Sequence, residues 1–358
     1  KLMRKVLVDL SALNNIYSGF GQIALTYGKY FENNYKKETA RYSLTLLVPD
    51  DMMGKFGNEV NYLSSSKRLK RRFPFLFPKF DVWHSTHQLS KFRPFYSGTK
   101  QILTFHDLNY LYERKGFSRY RKHRQIQGKI DRANQLVCIS HFTKEEVERN
   151  LNLNGKKCSV IYNYVEPFNE SLASKPSIDI KTPFFFSIGA LRKKKNFHVL
   201  LDLMKLYPEK HLYVAGTEAK KKKKNAYALM MKERIKNEKI TNVTLLGGIL
   251  HKEKIWMYKN CEAFLFPSLF EGFGLPVIEA MQFGKPVFSS AETSLKEIGG
   301  QFAYFWDHFD AYSMKSLIDS NLEGFYNDKE WMRKEKQYAE SFSTNNHFEE
   351  YEKLYESI

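Results

Sequence analysis

Short apolar runs, separated by segments long enough for helices, recur along the chain in two series, and that alternation leaves few folds open. The first series is KVLVDL (5–10), SLTLLVPD (43–50), FDVWHS (80–85), QILTFHD (101–107), QLVCIS (135–140) and CSVIYN (158–163). The second is FFFSIGA (184–190), HLYVAG (211–216), VTLLGG (243–248), AFLFPS (263–268) and PVFSS (286–290). Each run ends in polar or small residues. Strands that alternate with helices predict mostly parallel sheets covered on both faces. Helices are expected over 22–37, 142–151, 196–206, 225–237, 251–259 and 276–283. FTKEEVERN follows Ser140, which supplies a Ser-led start with acidic residues close behind. Between the series, YVEPFNESLASKPSIDIKTP is rich in Pro, Ser and polar residues and reads as a linker near 165–182. A chain of 358 residues is long enough for two cores. The expected division is 1–168, 182–335 and a terminal helical region, 336–358.

One turn in the second series asks for a ligand. In SLFEGFGLPVIEAM (268–281), Glu271 and Glu279 surround Gly272, Gly274 and Pro276. The strand AFLFPS ends at Ser268, so Glu271 falls in a loop at the C-terminal edge of a parallel strand, where open α/β sheets bind ligands. Pro276 is expected to open the following helix, as its first residue, and Gly284 suits the position just past the end, which places Glu279 in the first turn. The glycines let the backbone approach a ligand closely, and the helix N-terminus favours negative charge. Carboxylates beside a phosphate would repel it, so both are expected to accept hydrogen bonds from hydroxyls, Glu271 from a sugar and Glu279 from a ribose.

A second loop supplies cations. In SIGALRKKKNFHVLL (187–201), Arg192, Lys193, Lys194 and Lys195 lie between a strand ending at Gly189 and a helix beginning near Asn196. They are expected to face a diphosphate where no glutamate competes. The formal charge of +18 is concentrated in residues 1–170, with 29 Lys/Arg against 15 Asp/Glu. That asymmetry suggests a polyanionic partner: nucleic acid, an anionic membrane surface or an acidic lipid-linked substrate. KRLKRRF (67–73) and RKGFSRYRKHR (114–124) mix cations with aromatics, a combination that suits a bilayer or RNA. The lysines of 220–224 read as a solvated loop. Cys138, Cys158 and Cys261 form neither a disulfide framework nor a metal-binding spacing, which fits a reducing compartment. The apolar N-terminal run is too short for a signal segment, and no stretch approaches the roughly 20 apolar residues of a membrane span.

EGFGLPVIEA resembles the donor-site signature of glycosyltransferase family 4, whose members are retaining. LFPSLFEGFGLPVIEAMQFGKPV carries the resemblance most specifically, ISHFTKEEV less so, and YSGFGQIA near the N-terminus in outline. The resemblance implies an α/β fold of the GT-B type: two Rossmann-like domains facing across a deep cleft, with the C-terminal helices packing back toward the first. It places Gly272, Phe273, Gly274, Leu275 and Glu279 at the nucleotide-sugar, and Glu271 at the transferred sugar. Lys195 would stabilise the departing nucleotide diphosphate, with Lys194 in its partner's position. Many members have Arg directly after the strand-ending glycine. Here that residue is Ala190, leaving open whether Arg192 or Lys194 supplies the charge. Gly19 and Gly21, in a loop before a helix near Gln22, would lie under the sugar and diphosphate. His106 would contact the donor sugar near the reacting centre, with Asp107 orienting it. His84, His87 and Asp107 are candidates for the acceptor side, whereas His123 among RYRKHR reads as a surface residue.

The implied reaction moves a hexosyl group to a glycan or lipid-linked acceptor in cell-surface polysaccharide or lipopolysaccharide synthesis, with GDP-mannose the first donor to try. No DxD-like pair or His/Cys cluster is present, so charge neutralisation by Lys195 and its neighbours is expected, with no metal or other cofactor strictly required. The location implied is cytoplasmic, peripheral on the membrane. Two alternatives stay open: a GT-B nucleotide-sugar epimerase, and a non-catalytic nucleotide-sugar or nucleic-acid binding protein. The second lacks any specific nucleic-acid module.

Overall fold

The computed structural model describes residues 3–16, 18–66, 72–218 and 225–358. Tyr17, most of the basic stretch 67–73 and the lysines of 220–224 lie outside the described residues. The chain divides into two units, 1–162 with 344–358, and 163–343.

The first unit is built on seven strands: β1 (Arg4–Asp9), β2 (Tyr42–Val48), β3 (Asn61–Ser64), β4 (Val82–Ser85), β5 (Lys100–Phe105), β6 (Gln135–Cys138) and β7 (Cys158–Val160). All pairings are parallel and the order is β3-β2-β1-β4-β5-β6-β7. Its helices are α1 (Gly19–Asn34), α2 (Tyr110–Glu113), α3 (Gly116–Ile130) and α4 (His141–Asn150). The strand order reverses at β1, and a crevice opens at such a switch point beyond the C-terminal ends of the strands. Ser140 caps α4, its hydroxyl accepting from Thr143 N at 3.0 Å. The short edge strand β3 has no apolar run in its sequence, NYLS, and the pattern of buried strands passes over it.

The second unit holds β8 (Phe184–Ile188), β9 (His211–Ala215), β10 (Val243–Gly247), β11 (Ala263–Phe266), β12 (Val287–Ser290) and β13 (Ala303–Trp306), in the order β10-β9-β8-β11-β12-β13. These pairs are again parallel. The helices are α5 (His198–Lys205), α6 (Ala226–Asn237), α7 (His251–Asn260), α8 (Leu275–Gln282), α9 (Leu295–Gly299), α10 (Ala311–Asn327) and α11 (Lys329–Glu340). Phe184, Phe185 and Phe186 of β8 are all fully buried, as a central strand covered on both faces requires. On one side Phe185 joins Leu200, Met204 and Tyr207 in a single cluster.

The segment read as a linker belongs to this second unit. Val165 is buried, and its N–H donates to Phe342 O at 2.8 Å. Phe168 stacks on His251 at 5.5 Å, and Ser174 N donates to Lys252 O at 3.0 Å. A few apolar anchors thus fix a stretch whose average composition is that of a tether. At the other end the second unit extends through Phe342, which meets Phe273 edge-on at 5.7 Å, so its limit lies beyond residue 335.

The last helix, α12 (Thr344–Ser357), packs on the first unit, as expected. Phe348, Tyr351 and Tyr355 are completely buried. Phe348 stacks on Tyr30 of α1 at 3.8 Å, and Arg4 of β1 donates to the carbonyls of Tyr355 and Ile358 at 3.1 and 3.0 Å.

Candidate active site

In the second sheet the strand order reverses between β8 and β11, so the loops leaving those strands share one crevice. They are the basic loop and the glycine turn, 76 residues apart in sequence. Lys195 Nζ lies 2.5 Å from Glu271 Oε1, with the two side chains 13% and 14% exposed. Ser268 Oγ donates to the same carboxylate oxygen at 2.6 Å. The ammonium also stands 5.0 Å from the Phe266 ring centroid. The expectation that no glutamate competes for these cations is therefore wrong: Glu271 holds Lys195. Lys194 contributes differently, its carbonyl accepting from Leu269 N at 2.8 Å and its ammonium 5.9 Å from the Phe270 ring centroid. Arg192 and Lys193 are exposed. Asn196, the residue after the lysines, is buried in a left-handed conformation (φ 56°) and delays α5 to His198.

The glycine turn is braced from β12's following loop. Glu271 N donates to Thr293 Oγ1 at 3.0 Å, and Ser294 Oγ donates to the carbonyls of Glu271 and Phe273, both at 2.9 Å. Gly274 has φ 104°, and a Cβ there would lie 2.5 Å from Leu295 Cδ2. Glycine is needed at that point for conformation and space together. The Phe273 side chain is buried, with its ring against Phe342. Leu275 begins α8 with Pro276 beside it. Glu279 consequently lies in the second turn of α8, not the first. Its Oε1 accepts from Lys254 Nζ at 2.8 Å and its Oε2 from Tyr258 OH at 2.8 Å, so α7 presents a cation and a phenol, four residues apart, to one carboxylate. Burial, then the nearby Glu279 charge, pushes the Tyr258 phenol well above its usual range.

In the first unit, a pocket of about 440 Å3 opens beyond β1 and β4, lined among others by Asn15, Ser18, Phe20, Ser66, His87 and Phe92. Gly19 and Gly21 are not in a loop beside it but in the first turn of α1, because Ser18 caps the helix by accepting from Gly21 N at 3.0 Å. A Cβ on Gly21 would lie 2.0 Å from Asn15 O, so this glycine serves close packing. His87 stacks on Phe20 at 4.5 Å, and its Nδ1 accepts from Leu89 N at 3.1 Å. Burial pushes His87 down to about 3. His106 is buried beside Phe20, ring centroids 5.3 Å apart. Its Nε2 lies 2.9 Å from Thr86 O, an acceptor only, so Nε2 carries the proton. Burial pushes His106 to about 4, leaving it neutral near pH 7 with Nδ1 unprotonated. Asp107 turns its own chain, Oδ1 accepting from Asn109 N at 3.0 Å, while its carbonyl accepts from Gln88 Nε2 at 2.8 Å.

His84 does not reach the pocket. It is completely buried between Tyr355 OH (2.6 Å from Nδ1) and Thr104 Oγ1 (2.9 Å from Nε2), and it fastens α12 to the sheet. Its placement among acceptor contacts is corrected accordingly. His123 is half-buried, its Nδ1 3.0 Å from Tyr110 OH.

Sequence reasoning missed several groups. Ser268, Thr293 and Ser294 carry only the weak signal of small polar residues after strands, and Lys254 with Tyr258 that of an i, i+4 pair. Lys129 of α3 donates to the carbonyls of Gln88 and Ser90 at 2.7 and 2.5 Å, holding the pocket wall from behind. Buried Asp9 holds the same wall through the Ser90 hydroxyl. Among the described residues no group of three or more His, Cys, Asp or Glu side chains could hold a metal ion, and no helix is long and apolar enough to cross a membrane.

Comparison with known proteins places these loops in a class. Residues 169–339 match the family of glycosyl transferases group 1, and residues 32–167 match glycosyltransferase family 4. The sucrose-phosphate synthase of Thermosynechococcus elongatus superposes with a TM-score of 0.74 over 99% of this chain and 98% of its own, at 14% identity, which speaks for the fold. The O-antigen chain mannosyltransferase RfbU of Salmonella typhimurium is 24% identical over 282 residues, 74% of this chain and 75% of that protein. The serotype-specific mannosyltransferase WbdA of Escherichia coli is 27% identical over 227 residues, and the match spans about a quarter of its length (26%) and 56% of this chain. Fold and matches together define a nucleotide-sugar-dependent glycosyltransferase of the GT-B type. Within that class the chain is related to the group 1 and family 4 glycosyltransferases.

Proposed function

We propose that this protein transfers a mannosyl group from GDP-mannose to a hydroxyl of a glycan or lipid-linked acceptor, with retention at the anomeric carbon, in the synthesis of a cell-surface polysaccharide. The observation that carries the reading is the meeting of Lys195 and Glu271 at the switch point of the second sheet. A cation there can neutralise charge on a leaving diphosphate, and a carboxylate beside it can accept a hydrogen bond from a sugar hydroxyl. Mannose is favoured by the names of the relatives RfbU and WbdA.

Binding of the donor exchanges Glu271 for a phosphate oxygen as the partner of Lys195. As the bond from the anomeric carbon to the phosphate oxygen breaks, its electron pair stays on that oxygen, where Lys195 stabilises it. The same oxygen takes the proton of the acceptor hydroxyl, whose oxygen bonds to the anomeric carbon on the face just vacated. Neither Glu271 nor Glu279 acts as a nucleophile. Glu279 holds the ribose hydroxyls at a position set by Lys254 and Tyr258. His106 offers unprotonated Nδ1 to a sugar hydroxyl, and the pocket beyond β1 and β4 receives the acceptor.

The test is a magnesium-free binding and slow-hydrolysis screen against GDP-mannose, UDP-glucose and UDP-N-acetylglucosamine, with the anomeric configuration of the released sugar read by NMR. Preferred turnover of GDP-mannose, lost in Lys195→Ala and Glu271→Ala, is the expected result. Preference for a uridine donor would overturn the donor assignment, and first release of the β-anomer from an α-linked donor would overturn retention.

A further inference from the structure

From Tyr112 to Arg121 every residue is exposed, an uninterrupted stretch that runs through the end of α2 and the first half of α3. Tyr112, Phe117 and Tyr120 are 58%, 77% and 57% exposed. Phe117, Tyr120, Arg121 and Arg124 fall at i, i+3, i+4 and i+7, one face of the helix, while Ile126 and Ile130 turn the opposite face into the core. Arg114, Lys115, Arg119, Arg121 and Arg124 crowd this stretch, and Glu113 is its single acid. Among the described residues none of these five cations takes part in an ion pair, in contrast to Lys195, Lys210 and Lys254 of the second unit. An aromatic rim standing in water among uncompensated cations is costly unless a complementary surface covers it. Aromatics at headgroup depth with cations beside them match the chemistry of an anionic bilayer.

We propose that the first unit docks on an anionic lipid bilayer through the exposed face of α2 and α3, with Phe117 and Tyr120 entering the interface and Arg119, Arg121 and Arg124 facing lipid phosphates. A second exposed aromatic group, Phe73, Phe75, Phe95 and Tyr96, is less suited. Its rings are on average less exposed, at 38%, 50%, 58% and 39%. They form a chain of contacts at 5.7 Å for Phe73–Phe75, 6.0 Å for Phe75–Phe95 and 5.4 Å for Phe95–Tyr96, whereas Phe117 and Tyr120 stand 6.4 Å apart. Docking through α3 has a consequence for the pocket, because Lys129 near the end of the same helix holds the carbonyls of Gln88 and Ser90 in its wall. The bilayer-facing helix and the pocket are joined by one side chain.

The experiment is co-sedimentation of the whole chain with vesicles of phosphatidylglycerol mixed with phosphatidylcholine, against phosphatidylcholine alone and against single-stranded RNA. Each cation near an anionic surface contributes about fivefold. The triple variant Arg119→Glu/Arg121→Glu/Arg124→Glu is expected to lose at least about 100-fold in vesicle affinity. Phe117→Ala/Tyr120→Ala is expected to lose about tenfold, with the salt dependence retained. All five side chains are exposed, so unchanged thermal melting controls for folding. In Phe117→Trp the added indole emission is expected to shift to the blue on phosphatidylglycerol vesicles. Equal binding to both vesicle types, loss of binding only on changing Phe75 and Phe95, or binding to RNA without vesicles would each overturn the proposal. These readouts require no donor or acceptor and stand or fall separately from the sugar assignment.

Discussion

Breaking the Lys195–Glu271 pair one partner at a time should reveal a coupling that a nucleotide diphosphate removes. At 2.5 Å the bare attraction is about 7 kcal/mol for an effective dielectric constant of about 20. Desolvation of both groups offsets most of that. Losing one partner of a fully buried pair costs about 3–5 kcal/mol, and an exposed pair is worth about 0–1. With 13% and 14% of the side chains exposed, a coupling of about 2 kcal/mol is expected. A unit of this size shifts by about 2–4 °C per kcal/mol, so the cycle should show non-additivity of about 4–8 °C. The assay is thermal and urea melting of the parent, Lys195→Ala, Glu271→Ala and the double variant. Each is then repeated without magnesium at one fixed GDP concentration that saturates all four proteins, so that any difference in GDP affinity among the variants enters the measured coupling. If the diphosphate takes Lys195 from Glu271, the coupling in GDP falls below about 1 kcal/mol. Additive single variants, with a coupling under about 0.5 kcal/mol without ligand, would refute the pair itself. A coupling unchanged by saturating GDP would refute the exchange of partners and place the diphosphate elsewhere.

Three further outcomes follow from the geometry. Acid should weaken the first unit before it weakens the second: burial holds His87 and His347 near 3 and His106 near 4, while the unfolded chain protonates near 6.5. Because the unfolded state binds more protons below that value, stability is lost as pH falls from about 6.5 toward 4, by up to about 2 kcal/mol per histidine at pH 5, and amide exchange at pH 7 and pH 5 would show it first in α1 and α12. His84→Ala should cost about 3 kcal/mol by freeing Tyr355 and Thr104 yet leave the acceptor KM of the folded fraction unchanged; a selective rise in that KM would reinstate His84 as an acceptor contact. Gly274→Ala should lose about 2–4 kcal/mol, since it combines a φ of 104° with a 2.5 Å approach to Leu295, and a neutral result in urea melting would deny the strain.

What the sequence made legible is what period and punctuation encode. Runs such as FFFSI and AFLF announce themselves because a doubly covered strand has no solvent face to show. The glycine turn was legible because Gly274 and Pro276 are conformational demands on the backbone. Polar partnerships were not. Nothing local in SLFEG tells Glu271 that a lysine 76 positions earlier will arrive, since that depends on β8 and β11 being neighbours in space. The same blindness misread His84, whose partners Thr104 and Tyr355 come from another strand and from the last helix. Composition misled in the opposite way at 165–182, where Val165 and Phe168 outweigh a polar average.

The corrections share a physical cause, and it bears on how such a site stays stable without its ligand. A loop rich in cations and a turn carrying carboxylates each face self-repulsion or desolvation alone. The strand order brings the loop's Lys195 to Glu271, while α7 supplies Glu279 with the Lys254 ammonium and a hydrogen bond from the Tyr258 phenol. Each pair presents the donor with a competitor of like chemistry, because a phosphate must replace a carboxylate at Lys195, and a ribose hydroxyl must share Glu279 with the phenol. The free energy of donor binding is therefore a difference between two well-satisfied states. It follows that a change removing only the carboxylate at Glu271 frees the lysine: GDP should bind Glu271→Gln more tightly than the parent, by up to about tenfold, even as transfer falls. Isothermal titration of GDP into Glu271→Gln separates this from a simple loss of the site, since weaker binding would mean that Glu271 supports the nucleotide rather than competing with it.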